Sequence, residues 1–211
     1  MSSGIRLPLF PLAGAILFPR SQLPLHIFEP RYRSMVEDAS AGQARIGIIQ
    51  PQAKGDDPAH PLLYRVGCVG EIVGLEELED GRFNIVLQGS TRFRLIAEAD
   101  VGTAYRQADV DPQAFNDADP EPLGLAQRAE VEQEARRLGD AMGLTVDWSA
   151  VNRLDDEMLV NAIAQVAPFD IGAKQALLEQ EALNDRADLL VQLMQFLRAA
   201  HGGGNNSARL Q

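Results

Sequence analysis

Cysteine is nearly missing from this chain: Cys68 stands alone among 211 residues. A single thiol excludes an intramolecular disulfide and suits a reducing compartment. Lysine is almost as scarce, with only Lys54 and Lys174. Neither follows the glycine loop G-x-x-x-x-G-K-[ST] that cradles nucleotide phosphates. The three histidines, His26, His60 and His201, share no ligand spacing, so the pattern carries no zinc site and no metal is expected. No run approaches the 18 or more uninterrupted apolar residues of a membrane-spanning helix, and no apolar run follows a basic start. Excess positive charge is missing as well. The net charge is −11, which argues against nucleic acid and anionic membranes as partners. A cytoplasmic protein with no cofactor is the expectation.

What the chain does contain is unevenly distributed. Residues 1–108 carry 11 basic against 12 acidic residues, while residues 109–211 carry 8 against 18. The first half reads as β structure with one early helix. Strands are expected at Ile5–Phe10, Ala15–Phe18, Leu23–Phe28, Arg45–Gln50, Tyr64–Leu75, Phe83–Gln88, Phe93–Glu98 and Ala104–Val110, from aromatic and β-branched content between turn signals. Glu79-Asp80-Gly81 predicts a hairpin turn, and Gly89-Ser90-Thr91 predicts another. Glu29–Ser40 predicts a helix, with Pro30 at a first-turn position where its missing N–H costs nothing and Met35, Val36 and Ala39 on the inner face.

Residues 54–61, KGDDPAHP, read as a projecting polar loop, and residues 111–122, with three prolines among acids, as a linker. Beyond it the apolar period becomes helical. Leu125, Ala129, Ala135, Leu138 and Met142 mark one helix. Asp155, Asp170 and Asp185 are placed to cap three more. Strands followed by segregated helices make an α+β protein. Its expected organisation is a β subdomain at 5–112, an acidic linker at 113–122, a helical bundle at 123–200 and a disordered tail at 201–211.

Four sequence segments carry more than composition does. Residues 7–33, LPLFPLAGAILFPRSQLPLHIFEPRYR, alternate short apolar runs with prolines and close on a Glu-Pro-Arg-Tyr-Arg cluster. Gly67-Cys68-Val69-Gly70-Glu71-Ile72 and Gln88-Gly89-Ser90-Thr91-Arg92-Phe93 follow in order, and Lys174-Gln175-x-Leu177-Leu178-Glu179 comes later. Together these resemble the LON domain, the N-terminal substrate-recognition domain of Lon-type ATP-dependent proteases. The resemblance implies a PUA-like β pseudo-barrel with an early helix, followed by a C-terminal helical bundle. It also implies a non-catalytic module that recognises polypeptide or a partner protein, be it a protease, a chaperone or a regulator. The 211 residues hold neither the nucleotide loop nor room for the serine–lysine protease part, so the expectation is a recognition domain without its engine.

For such a module the candidate polypeptide-binding residues are Phe18, Pro19, Phe28, Tyr32 and Met35, since aromatic and apolar side chains supply contact area at low entropic cost. No catalytic residue is assigned. Cys68, between glycines in a strand, reads as a buried core thiol. The alternative is a small-molecule-binding protein or hydrolase with a barrel-end pocket. Its structural signature would be Cys68, His26 and Glu71 gathered around one cavity.

Overall fold

In the computed structural model, residues 4–52, 60–118 and 120–207 are described, with side chains described as far as His201. The chain divides into two compact units, 1–118 and 119–211. Most of the expected Lys54–Pro61 loop lies outside the described residues.

Unit 1 is built from β1 (Ile5–Pro11), β2 (Gln22–Ile27), α1 (Pro30–Ala41), β3 (Arg45–Pro51), β4 (Leu63–Glu77), β5 (Phe83–Ala99) and β6 (Gln107–Asp111). The sheet runs β2-β5-β4-β3-β1-β6, and β6 pairs a second time with β5. That second pairing closes β5, β4, β3, β1 and β6 into a ring and leaves β2 on the outside of β5. Ring closure removes sheet edges. β1 and β3 are parallel and every other pair is antiparallel. Gly81, with φ of +74°, turns β4 into β5 at the predicted hairpin.

β5 departs from expectation. Its two halves were expected to be separate strands, but they form one 17-residue strand serving two neighbours. Gln88 and the residues before it pair with β2, and Arg94 onward pair with β6. Gly89 is therefore not a turn residue. Its N–H donates to the Ser21 carbonyl at 2.9 Å and its carbonyl accepts from Arg20 N–H at 2.8 Å. A Cβ at 89 would sit 2.0 Å from the Phe18 carbonyl oxygen, so only glycine allows this approach. Ala15–Phe18, also expected as a strand, joins no ladder. Ile16, Leu17 and Phe18 are fully buried in coil. A short apolar run signals burial, and periodicity alone does not distinguish strand from other buried segments.

α1 begins at Pro30 and lays Tyr32, Met35, Val36 and Ala39 against a core containing Phe10, Leu17, Ile27, Ile46, Ile48, Cys68, Phe83, Ile85 and Leu87. A second cluster holds Leu7, Leu9, Ile49, Leu63, Val69, Phe93, Leu95 and Val110. The segment after β6 is not a free linker, because Asp117 is buried in unit 1. Its carboxylate accepts from Arg92 Nε at 2.9 Å and from the Arg92 backbone N–H at 2.7 Å. The Arg92 guanidinium lies 4.3 Å over the Phe115 ring, and Arg20 donates to the Asp117 carbonyl at 2.6 Å.

Unit 2 contains α2 (Leu125–Ala141), α3 (Trp148–Val151), α4 (Asp156–Val166), α5 (Ile171–Glu179) and α6 (Leu183–Ser207). Asp155 caps α4 by accepting from Met158 N–H at 2.7 Å, and Asp170 caps α5 by accepting from Ala173 N–H at 2.7 Å. Asp185 lies inside the first turn of α6 rather than before it. α6 runs through Ser207, past His201, where the sequence reading ends the helices. Leu125 is 90% exposed and takes no part in the inner face of α2, which is Val131, Ala135 and Leu138. α3 has no counterpart in the sequence reading. It is a single turn capped by Asp147, too short for a periodic signal.

Candidate functional site

The five residues expected to bind polypeptide do not form one surface. Phe18 and Met35 are fully buried, Pro19 is buried, and Tyr32 is 8% exposed. The helical period that places Met35 inward brings Tyr32 inward one turn earlier, and the Phe18 main chain packs against Gly89. Phe28, 61% exposed, stands apart from the other four. It follows β2 on the outward side, with its ring 6.3 Å from that of His26.

The structure instead assembles a groove of about 600 Å³ in unit 1. Pro11 and Pro51 reach it from the ends of the parallel neighbours β1 and β3, and Tyr32 from the first turn of α1. Pro61 and Leu62 enter from before β4, and Val101 from the β5–β6 connection. Leu62 is 61% exposed. The Tyr32 ring is braced by Phe10, with centroids 4.3 Å apart, and covered by the Arg31 guanidinium at 4.6 Å. Burial raises the Tyr32 phenol above its usual range.

The cations around the groove are committed to partners. Arg106 donates through Nε to Glu98 at 2.6 Å and through a terminal nitrogen to the Pro61 carbonyl at 2.8 Å, tying the β5–β6 connection to the segment before β4. Arg31 pairs with Glu29 at 2.9 Å. Below the rim, Tyr105 donates to Asp38 at 2.8 Å. Burial, then that hydrogen bond, push the Tyr105 phenol up to about 12. The groove thus combines proline and aliphatic walls with polar and charged side chains, among them His60, Glu98, Asp100 and Arg106.

The signature of the hydrolase alternative does not form. Cys68 is fully buried, and its thiol lies 3.6 Å from the Val69 carbonyl. His26 is exposed on β2 and hydrogen-bonded to Asn84 at 2.8 Å. Glu71 pairs with Arg45 at 3.1 Å. Three separate neighbourhoods hold the three groups. Among the described residues no group of three or more His, Cys, Asp or Glu side chains could hold a metal ion. Asp56 and Asp57 lie outside the described residues. No helix among the described residues is long and apolar enough to cross a membrane.

Sequence reasoning missed Leu62, Val101 and Arg106. The available hint was proline: Pro11, Pro51 and Pro61 all stop strands or precede one. Their convergence depends on strand order, which local sequence does not encode.

A ring-closed mixed sheet with an outer strand and one covering helix, followed by a helical unit, defines an α+β protein with a groove on its β unit. The model of the ATP-dependent protease La (LON) substrate-binding domain matches residues 6–195, and the chain belongs to that family. Lon protease 2 of Myxococcus xanthus is 28% identical over 192 residues, covering 89% of this chain and 23% of its own length. Lon protease of Escherichia coli K12 is 25% identical over 198 residues, covering 92% and 25%. The chain therefore spans about a quarter of the length of these curated relatives. Among solved structures, the Lon N-terminal domain protein from Xanthomonas campestris shares the fold with a TM-score of 0.66 at 19% identity, covering 89% of this chain and 98% of that one. The N-terminal domain of a Mycobacterium avium complex Lon protease gives 0.66 at 18% identity, covering 90% and 98%.

Proposed function

We propose that this chain binds unstructured polypeptide segments, seating their apolar side chains in the groove of unit 1. The observation that carries the reading is the groove itself: about 600 Å³, walled by Pro11, Pro51 and Pro61 with Tyr32 and Leu62 beside them. Its volume lies within the range of well-formed binding sites. Proline walls and a braced tyrosine lose little entropy when a ligand is seated. Membership of a substrate-binding-domain family supports the same reading.

Of the two ways a sheet domain takes an extended peptide, groove insertion is favoured over strand addition. The one outer strand among the described residues, β2, carries Pro24, which lacks an N–H for a growing ladder and blunts the edge. The role that follows is recognition for a partner protease, chaperone or regulator.

The test is fluorescence anisotropy with a labelled, reduced and carboxymethylated protein that stays unfolded. Leu62→Ser combined with Val101→Ser is expected to weaken binding by roughly tenfold or more, the scale of one lost apolar side-chain burial. Unchanged affinity in a variant with intact circular dichroism overturns the groove assignment. Loss of binding in Phe28→Ser alone moves recognition to the outer face of β2.

A further inference from the structure

Unit 2 carries a separate concavity of about 190 Å³, and every residue lining it is apolar. Leu138 and Gly139 of α2, Trp148 of α3, Ile163 and Val166 of α4, and Met194 of α6 form its walls. The single turn of α3 carries Trp148 into this wall. Asp147 fixes that turn by accepting from Ser149 and Ala150 N–H at 3.0 and 3.2 Å. On the rim, Val166 is 80% exposed and Leu144 55%. The volume falls below the roughly 300–1,000 Å³ usual for small-molecule sites. It matches an anchor pocket that takes one large side chain of a docked helix.

The charges around it specify the occupant. Residues 119–211 hold 15 acidic against eight basic residues. Five of the eight are committed within the unit. Arg128 pairs with Glu132 and Asp156, and Arg137 and Arg198 both pair with Glu134. Lys174 donates to the Gln165 carbonyl at 2.9 Å and Arg186 to the Leu177 carbonyl at 3.2 Å. Three exposed carboxylates adjoin lining residues in the chain: Asp140 after Gly139, Asp147 between Val146 and Trp148, and Asp155 after Leu154. The Ser149 hydroxyl, then backbone N–H groups, keep the Asp147 carboxyl below its usual range, so it stays ionised. Among the described residues the opposing cations are Arg136, stacked 4.6 Å over the Trp148 ring, and Arg153, while Arg209 lies outside them.

We propose that this pocket docks a basic amphipathic helix of a partner protein, which seats one large apolar side chain against Trp148 while its Lys or Arg residues face Asp140, Asp147 and Asp155. The site is independent of the groove in unit 1, so either can fail without the other.

Trp148 is the one tryptophan of the chain and reports on its own pocket. The probe is a synthetic helical peptide with Leu at every third or fourth position and Lys between. Its titration is expected to shift Trp148 emission saturably. Replacing its lysines by glutamate is expected to weaken binding by about tenfold or more, and added salt to weaken the lysine peptide. Gly139→Leu fills the pocket from within, since a Cβ at 139 lies 3.5 Å from Trp148 Cζ2. Gly139 lies in the last turn of α2, where replacing glycine favours the helix; with circular dichroism showing the fold retained, binding is expected to be lost. Asp140→Lys, on an exposed position, is the second variant, and it is expected to weaken the lysine peptide and favour the glutamate one. Equal binding of both peptides, or Gly139→Leu and Asp140→Lys both binding as the parent does, overturns the proposal. So does an emission shift that follows protein concentration alone and accompanies dimer formation in sedimentation, which would make the occupant a second copy.

Discussion

Removing Asp117 tests whether the segment after β6 is a structural part of unit 1. Its carboxylate is 6% exposed and faces an Arg92 side chain that is 1% exposed, with N–O separations of 2.8 and 2.9 Å. It also accepts from the Arg92 backbone N–H at 2.7 Å and from the Thr91 hydroxyl at 3.2 Å. Asp117→Ala takes this carboxylate from a buried guanidinium and leaves a buried backbone donor without that acceptor. Breaking one side of such a pair costs about 3–5 kcal/mol. For a unit of this size, 1 kcal/mol moves the midpoint by roughly 4 °C or more, so the unit 1 transition is expected to fall by at least about 12 °C. Asp117→Asn keeps an acceptor and most of the shape and is expected to lose less than the alanine variant. The double variant Arg92→Met with Asp117→Leu removes both charges together and is expected to recover much of the loss, because replacing a buried pair by apolar groups is often near neutral. The assay is urea unfolding followed by far-ultraviolet circular dichroism, with thermal melts alongside. A loss below about 1 kcal/mol for Asp117→Ala, or equal losses in the alanine and double variants, refutes the reasoning.

Two further outcomes are expected. Gly89→Ala forces a methyl into the Phe18 carbonyl, 2.0 Å from its Cβ position, and is expected to cost about 2–3 kcal/mol in urea unfolding; a neutral result would mean β5 is not crossed closely at Gly89. Tyr105 has its phenol pushed up to about 12, above the unfolded value near 10. A proton held more tightly in the folded state makes stability complete below pH 10 and lost as pH rises toward 12. Tyr105→Phe is therefore expected to flatten the decline between pH 10 and 12, by about 2 kcal/mol at most. Parallel pH profiles of parent and variant would rule out Tyr105 as the source.

Much of the secondary structure was legible locally. Asp155 and Asp170 announce helices because a carboxylate needs only the next few N–H groups to act as a cap. Gly81 announces a hairpin because positive φ is a property of one residue. The errors share a cause: each depends on what lies across the chain. Gly89 looks like a turn until the Phe18 carbonyl occupies the place of its missing Cβ. Asp117 looks like linker until Arg92 is found beneath it. Phe18 and Met35 look like binding residues because apolar character is the same signal for a core and for a contact surface.

By itself, the amino-acid sequence determined the α+β order, the early helix with its inward face, the acidic second half and, through its motifs, the family. Capping, helical period and charge act over a few residues, so they carry over into the structure where nothing from across the chain intervenes. Tertiary structure alone decided that β5 closes the ring, that three prolines meet at one groove, and that Trp148 lines an apolar pocket. These follow from hydrogen-bond register and packing between segments tens of residues apart, a distance over which no local preference reaches.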